Sequence, residues 1–195
     1  MAADAAGNDL GAVFIPVTGN IAIAPFGTAV PSPADGAKAT VTLAEVFEKL
    51  GLFAEDGGFE WTEEASGDPI VFFQQGYSIP SGEANVQVVV KLAETSRKNL
   101  ETVRGTKFDA NNHTIVDASG NPLQYVVWTE EIAKNGNIRR RACENATVAS
   151  WKEDKDERGT VKGIEVTWTF KEAAGHPSGQ FHEWFLTPAD LTPAP

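Results

Sequence analysis

The chain has 195 residues, 42% of them hydrophobic, and a formal net charge of −11 from 16 Lys and Arg against 27 Asp and Glu. A chain of this length buries a core without staples, and single all-β domains commonly run to about 200 residues, so one domain is expected. The acidic excess argues against a protein that neutralises nucleic-acid phosphates with Lys and Arg. No run of about 18 apolar residues is present to span a membrane, and a lone Cys143 excludes an intramolecular disulfide and suits a reducing cytoplasm.

Residues 1–20 are small and polar and read as an arm; Asp4 and Asp9, with no basic stretch, argue against a signal peptide. Residues 21–24 form a short strand candidate, and the prolines Pro25, Pro31 and Pro33 that follow predict an extended loop without regular structure. Thr42 and Glu45 are spaced as a capping box, Val41 and Val46 as a hydrophobic staple, and Gly51 sits where a C-cap belongs. Leu43, Val46, Phe47 and Leu50 recur at helical spacing, so the pattern predicts a helix over 42–50. A second, largely exposed helix is predicted over 94–104, closed by Gly105.

The rest reads as strands. Phe59 and Trp61 alternate with Glu60, Thr62 and Glu64, and Val86, Val88, Val90 and Leu92 share one face. Residues 122–132 are nearly continuously apolar, which implies burial on both faces, and 138–151 fit one long strand. Strict alternation marks 164–170, and 181–186 closes the domain before a Pro-containing tail, 187–195. The expected fold is mainly β: an antiparallel β-sandwich over 21–186 with one or two short helices, extended loops, an N-terminal arm and a C-terminal tail.

Catalytic and metal motifs are sparse. His113, His176 and His182 belong to no HExxH pattern, and a single Cys excludes a cysteine-rich zinc site. There is no Walker A or GxGxxG sequence, and in Gly175-His176-Pro177-Ser178-Gly179 the serine sits one place too late for a nucleophile elbow, so that segment reads as a turn. Asp154, Asp156, Gly159 and Glu165 occupy positions 1, 3, 6 and 12 of a calcium loop, but Arg158 puts a cation at position 5 and strands flank the segment. A charged turn is the better reading. Trp61, Trp128, Trp151, Trp168 and Trp184 suit core packing on strand faces more than a sugar platform, and the sequons at Asn112 and Asn145 carry no meaning without a signal peptide. No cofactor and no enzymatic activity are expected.

Charge is unevenly placed. Residues 45–68 hold Glu45, Glu48, Glu55, Asp56, Glu60, Glu63, Glu64 and Asp68 against one base, Lys49, whereas 137–162 hold seven bases, including Arg139, Arg140 and Arg141, against five acids. Two readings stand: solvated faces of opposite sign, or subunits meeting head to tail, the acidic loop with Glu55 and Asp56 against the basic segment of the next. Heterologous contacts of that kind build rings or filaments.

Three segments resemble major tail (tail-tube) proteins of long, non-contractile-tailed phages, especially those of actinobacterial hosts. Ile21-Ala22-Ile23-Ala24-Pro25-Phe26-Gly27-Thr28-Ala29-Val30-Pro31 is similar to the family's strand and APxGTxxP opening. Leu50-Gly51-Leu52-Phe53-Ala54-Glu55-Asp56-Gly57 resembles its LGyxxEDG segment, and 86–101 its strand followed by an xExxxxNLE helix. The segment 68–81, with Gln74, Gln75 and Gly76, and the run Arg139-Arg140-Arg141 depart from the family pattern.

The resemblance implies a β-sandwich with a flanking helix that assembles into hexameric rings. Stacked rings make a hollow tube, as in type VI secretion, through which the tape-measure protein and then genomic DNA pass. Tail-tip and tail-terminator proteins would close its ends, with assembly in the host cytoplasm and residence in the virion. In that setting Glu60, Glu63, Glu64 and Asp68 are lumen-facing candidates, because an acidic wall repels DNA and Glu60 and Glu64 share a polar strand face. Pro25, Phe26, Gly27 and Pro31 become assembly-loop candidates. The rivals are a monomeric β-sandwich carbohydrate-binding or adhesin module, a single-ring tail terminator or connector, and, third, an enzyme.

Overall fold

The computed structural model describes residues 5–117, 120, 123–173 and 179–191. The expected turn at 175–178, with His176, and the end of the tail lie outside them. A long antiparallel sheet runs through β1 (Pro16–Pro25), β2 (Glu48–Lys49), β3 (Glu60–Ser66), β6 (Glu83–Leu92), β7 (Gln124–Ala133), β8 (Ile138–Glu153), β9 (Ile164–Phe170) and β10 (His182–Leu186), in the order β2-β1-β7-β8-β9-β6-β3 with β10 beside β8. A separate ribbon joins β4 (Ile70–Val71) to β5 (Ser78–Ile79). Two α-helices, α1 (Pro33–Gly36) and α2 (Arg97–Arg104), and a 3-10 turn at Leu10–Ala12 complete the described elements.

Strand β8 is long enough to serve two layers. Its residues 138–142 lie between β7 and β10, whereas 146–153 pair with β9, which carries β6 and β3 beyond it. Ile21, Ile23 and Val127 of the β1–β7 layer meet Val88, Val90, Val166 and Trp168 of the β6–β9 layer in one core. The alternate residues Ala22, Trp128 and Ala142 face a second core with Trp184 and Leu186, closed by Val30, Val41, Leu43 and Phe47 of the long connection after β1. Both faces of β7 are therefore buried over Val126–Thr129, as the nearly continuous apolar run implied. Burying a large apolar side chain contributes about 1.5–3 kcal/mol, and most of that gain is concentrated here.

The arginine run sits on β8 with its members on alternate faces. Arg140 is 1% exposed. Its guanidinium donates to Glu130 Oε2 at 2.6 Å and to the carbonyls of Gly36, Lys38 and Ala39 at 2.8, 2.5 and 3.0 Å, fastening the covering connection to the sheet. Trp184 Nε1 adds a bond to the Pro33 carbonyl at 3.0 Å, and a Cβ at Gly36 would lie 2.3 Å from the Trp184 ring, so this approach requires glycine. Arg141, 2% exposed, points the other way. It stacks 3.8 Å over the Trp61 ring and pairs with Glu183 at 2.9 Å and Glu131 at 3.3 Å, joining β3 to the opposite layer. Burial, then the neighbouring Arg139, lower the Arg141 pKa, while Glu183 and Glu131 oppose that shift; a guanidinium so paired stays cationic.

Three local expectations are corrected. No helix forms over 42–50: Glu48 and Lys49 instead pair with Ile23 and Ala22, and Leu50 N–H donates to the Ile21 carbonyl at 3.1 Å. An isolated helix of that length is marginal in water. As an extended segment it covers part of β1's edge and places Leu50 in the core. Gly51 keeps a left-handed φ of 92° but ends no helix. The proline loop holds one helical turn, α1, since Pro33 fits a first helical position and Ser32 caps it. Strand β1 also begins at Pro16, within the segment read as arm. By contrast α2 forms and ends at Gly105 as expected, left-handed at φ 69°, but it begins at Arg97, three residues later than expected, because Ser96 caps it. Its buried face is partly polar: Asn99 Nδ2 bonds the carbonyls of Leu50 and Glu94, each at 2.8 Å.

The β8–β9 connection is a charged turn. Lys91 of β6 bridges Asp56 and Asp154, each at 2.9 Å, and Lys162 bridges Glu153 and Asp156 at 3.0 and 3.1 Å. The would-be calcium carboxylates Asp154 and Asp156 are thus held by lysines. The hydrogen bond from Lys91 lowers the pKa of both Asp56 and Asp154, and bonds to Asp56 and then Asp154 raise Lys91 to about 12.

Two outcomes follow. Arg140→Ala leaves Glu130 with only the Asn20 amide and removes the side-chain donor from three carbonyls, and should cost about 3–5 kcal/mol in denaturant unfolding. The Lys91 network favours the charged forms, so its contribution is complete between the ordinary carboxylate and lysine values. It is lost as pH falls below about 4 and as pH rises from about 10.4 toward 12. Lys91→Met should lower the Tm on the neutral plateau and flatten both flanks in a melting series from acid to alkaline pH.

Candidate assembly surface

The β4–β5 ribbon is built from Ile70-Val71-Phe72-Phe73, a turn through Gln74-Gln75-Gly76, and Tyr77-Ser78-Ile79. Ile70 pairs with Ile79, Val71 with Ser78, and Phe72 N–H donates to the Tyr77 carbonyl at 3.1 Å. Residues two apart share a face, so Ile70, Phe72, Tyr77 and Ile79 make one side entirely apolar, with Val71 and Phe73 on the other. All six are exposed, Phe73 completely. At about 200 Å² per fully exposed aromatic side chain and somewhat less for Ile and Val, the wholly apolar side offers on the order of 400 Å² and the side of Val71 and Phe73 on the order of 300 Å². The largest patch on an ordinary monomer is roughly 300–600 Å². A two-stranded hairpin is also marginal on its own in water, so both its composition and its architecture ask for a partner.

Its root is acidic. Glu60, Glu63 and Glu64 lie exposed on β3, an outer strand that pairs only with β6, and Asp68 follows in the exposed link to β4. Glu60 and Glu64 share a face, as the alternation predicted, and Glu63 falls on the face of Trp61. Glu55 is exposed, whereas Asp56 is engaged by Lys91. Pro25 at the end of β1 and Phe26 and Gly27 in the loop after it are exposed and Pro31 is half-buried; Phe26 stands at the rim of a cleft that Glu144 and Glu172 also line.

The arginines do not form the basic surface expected of them. Arg140 and Arg141 are internal, and Arg139 is half-exposed and bonded to Glu183. Desolvation raises the Glu183 pKa, but Arg139 and then Arg141 outweigh it, and the net shift is downward. Lys155 and Lys162 likewise pair with local acids. The signal for this was present in the neighbouring strands, where Glu130, Glu131 and Glu183 stand opposite the arginines.

A second apolar strip lies at the chain's start. Asn135 Nδ2 bonds the carbonyls of Gly11 and Val13 at 2.8 and 3.2 Å, Lys134 N–H bonds that of Ile15 at 2.8 Å, and Phe14 packs against Phe185. Pinned this way, Leu10, Val13, Ile15, Val17 and Phe185 remain exposed. Strand β2 covers only Ala22 and Ile23, so the outer edge of β1 before them has no strand beside it among the described residues.

Trp61, Trp128, Trp168 and Trp184 are in ring contacts within the two cores, and Trp151 lies under Arg104 at 5.1 Å, so they form no exposed aromatic platform. His182 contacts Glu144 at 3.3 Å, and His113 lies exposed 3.9 Å from Asp109.

No curated protein matches the chain in sequence. Among solved structures, a chain of the cryo-electron-microscopy structure of the anti-feeding prophage (AFP) baseplate, 6-fold symmetrised, is similar at 10% identity with a TM-score of 0.45, over 91% of this chain and 97% of that one. The sequence pattern of the phage tail tube protein family matches residues 5–142. That span covers most of the chain, from the pinned arm to the arginine strand, and the chain belongs to the phage tail tube protein family.

Proposed function

We propose that this chain is the major tail-tube subunit of a long, non-contractile phage tail, assembling into hexameric rings that stack into the tube that conducts DNA. The observation that carries the reading is the β4–β5 ribbon, whose apolar surface no described part of the subunit covers. A monomer gains nothing from such a surface; a polymer buries it. The resemblance of residues 21–31, 50–57 and 86–101 to major tail proteins of actinobacterial phages supports the same assignment.

In this reading the chain is a virion protein built on a single tail-tube domain, with strand β1 beginning at Pro16. The tape-measure protein occupies the bore first and genomic DNA later, with tail-tip and terminator proteins at the two ends. Of the acidic candidates Glu60, Glu63, Glu64 and Asp68, the pair Glu60 and Glu64, which share one face of β3, faces the bore. Duplex DNA carries one negative charge per about 1.7 Å of axis, so carboxylates on the wall keep it from adhering.

Purified protein, concentrated at moderate salt and viewed by negative-stain microscopy, should form hollow tubes or stacked rings. Persistent monomers that bind glycans would replace the assignment with a binding module. Glu60→Lys with Glu64→Lys should leave tubes intact yet make them retain duplex DNA in a co-sedimentation assay at low salt, where wild-type tubes leave it in solution. Equal DNA retention by both would place those acids elsewhere than the bore.

A further inference from the structure

We propose that Asn135 is a site of spontaneous covalent modification, where loss of its side-chain amide unlatches the N-terminal arm from the subunit that carries it. The chemistry needs only water and stands independently of the tail-tube reading.

Asn135-Gly136 is the only Asn-Gly step in the chain; every other asparagine is followed by a residue with a side chain. It lies in the turn between β7 and β8, with Gly136 left-handed at φ 83°. A Cβ at Gly136 would also meet Pro188 Cγ at 3.1 Å, so the fold itself retains glycine after Asn135. Deamidation begins when the backbone nitrogen of the following residue attacks the asparagine Cγ, and glycine leaves that nitrogen unhindered. The Asn137 N–H donates to Asn135 Oδ1 at 3.1 Å, which draws electrons from Cγ and makes it a better electrophile. The Gly136 N–H donates to the Ala133 carbonyl at 2.9 Å, and this bond must open first, which slows the reaction. Both residues are half-buried, so water reaches them.

Water alone balances the step. The Gly136 nitrogen gives its proton to hydroxide and bonds to Cγ; the Cγ–Nδ2 bond breaks, and Nδ2 takes a proton from water and leaves as ammonia. Water then opens the resulting succinimide at either carbonyl. Attack at Cγ breaks its bond to the Gly136 nitrogen and gives aspartate. Attack at the backbone carbonyl breaks the original peptide bond and gives isoaspartate, with Cβ and Cγ in the main chain. Nothing is oxidised or reduced.

Position gives the reaction its consequence. Asn135 Nδ2 supplies two of the three hydrogen bonds that tie the carbonyls of Gly11, Val13 and Ile15 to this turn. Either product carries a carboxylate in its place, which only accepts. Attraction to the Gly11 and Val13 carbonyls becomes repulsion. The bond from Lys134 N–H to Ile15 stays, so the arm is freed up to Ile15 and β1 is left in the sheet. A new subunit holds its arm and an old one releases it.

The test ages purified full-length protein in mildly alkaline buffer and follows it by peptide mass mapping and by hydrogen exchange of residues 9–13. Asn135 should gain the mass that replacing an amide by a carboxyl adds, and exchange in that segment should quicken about 10-fold or more in step with it. Freshly made Asn135→Asp should show the faster exchange at once, with wild-type far-UV circular dichroism. Asn135→Gln, whose longer side chain closes the ring less readily, should keep its exchange constant with age. An Asn135 that stays intact in the native chain while the guanidinium-unfolded chain converts overturns the proposal. So does conversion with no change in arm exchange, or an ageing drift in Asn135→Gln equal to that of the wild type.

Discussion

Two arginines held inside the subunit organise everything around them. A guanidinium removed from water is costly unless all its surroundings are arranged to accept its protons, and β8 imposes two such demands on opposite faces in consecutive residues. Arg140 draws in Glu130 and the backbone of the connection after β1; Arg141 draws in Glu131, Glu183 and the ring of Trp61. The first fixes the cover over the second core, and the second ties the outer strand β3 across the sandwich. Once these are satisfied, the packing of the β6 and β9 valines and of Trp168 follows from ordinary alternation.

How much of this was legible in the sequence depended on the range of the interaction involved. Strict alternation in 164–170 and the shared face of Val86, Val88, Val90 and Leu92 are local, and those strands lie where the pattern puts them. Helix α2 announced its end through Gly105, which acts within one turn, whereas the Ser96 cap that sets its start went unread. The segment 42–50 carried equally good local helix signals and formed none, because the edge of β1 and a core position for Leu50 outweighed them; that competition involves residues more than 20 positions away. The arginine run was misread for a similar reason. Three consecutive cations look like a surface until the register that sets Glu130, Glu131 and Glu183 opposite them is known.

The ribbon presents the reverse situation. No strand was expected at 70–79, where the sequence showed only a departure from the family pattern, and the apolar run Ile70-Val71-Phe72-Phe73 looks the same whether it will be covered by its own chain or by another. Only the folded subunit distinguishes the two. The exposed acids on β3 gain their significance in the same way: being on a strand is local information, while being on the outermost strand at the ribbon's root is topological.

The manner in which Arg140 holds the connection after β1 has a consequence for how that connection can vary. Its guanidinium contacts the carbonyls of Gly36, Lys38 and Ala39, groups that every residue possesses, and Trp184 likewise bonds the carbonyl of Pro33. Apart from Gly36, where any side chain would collide with the indole, the latch is indifferent to which residues occupy these positions and sensitive to how many there are. Homologous connections can therefore drift freely in composition at 38 and 39, whereas a single inserted or deleted residue would shift every carbonyl out of the fork. At this point in the chain the fold specifies a spacing of backbone oxygens, and a substitution matrix would describe it poorly.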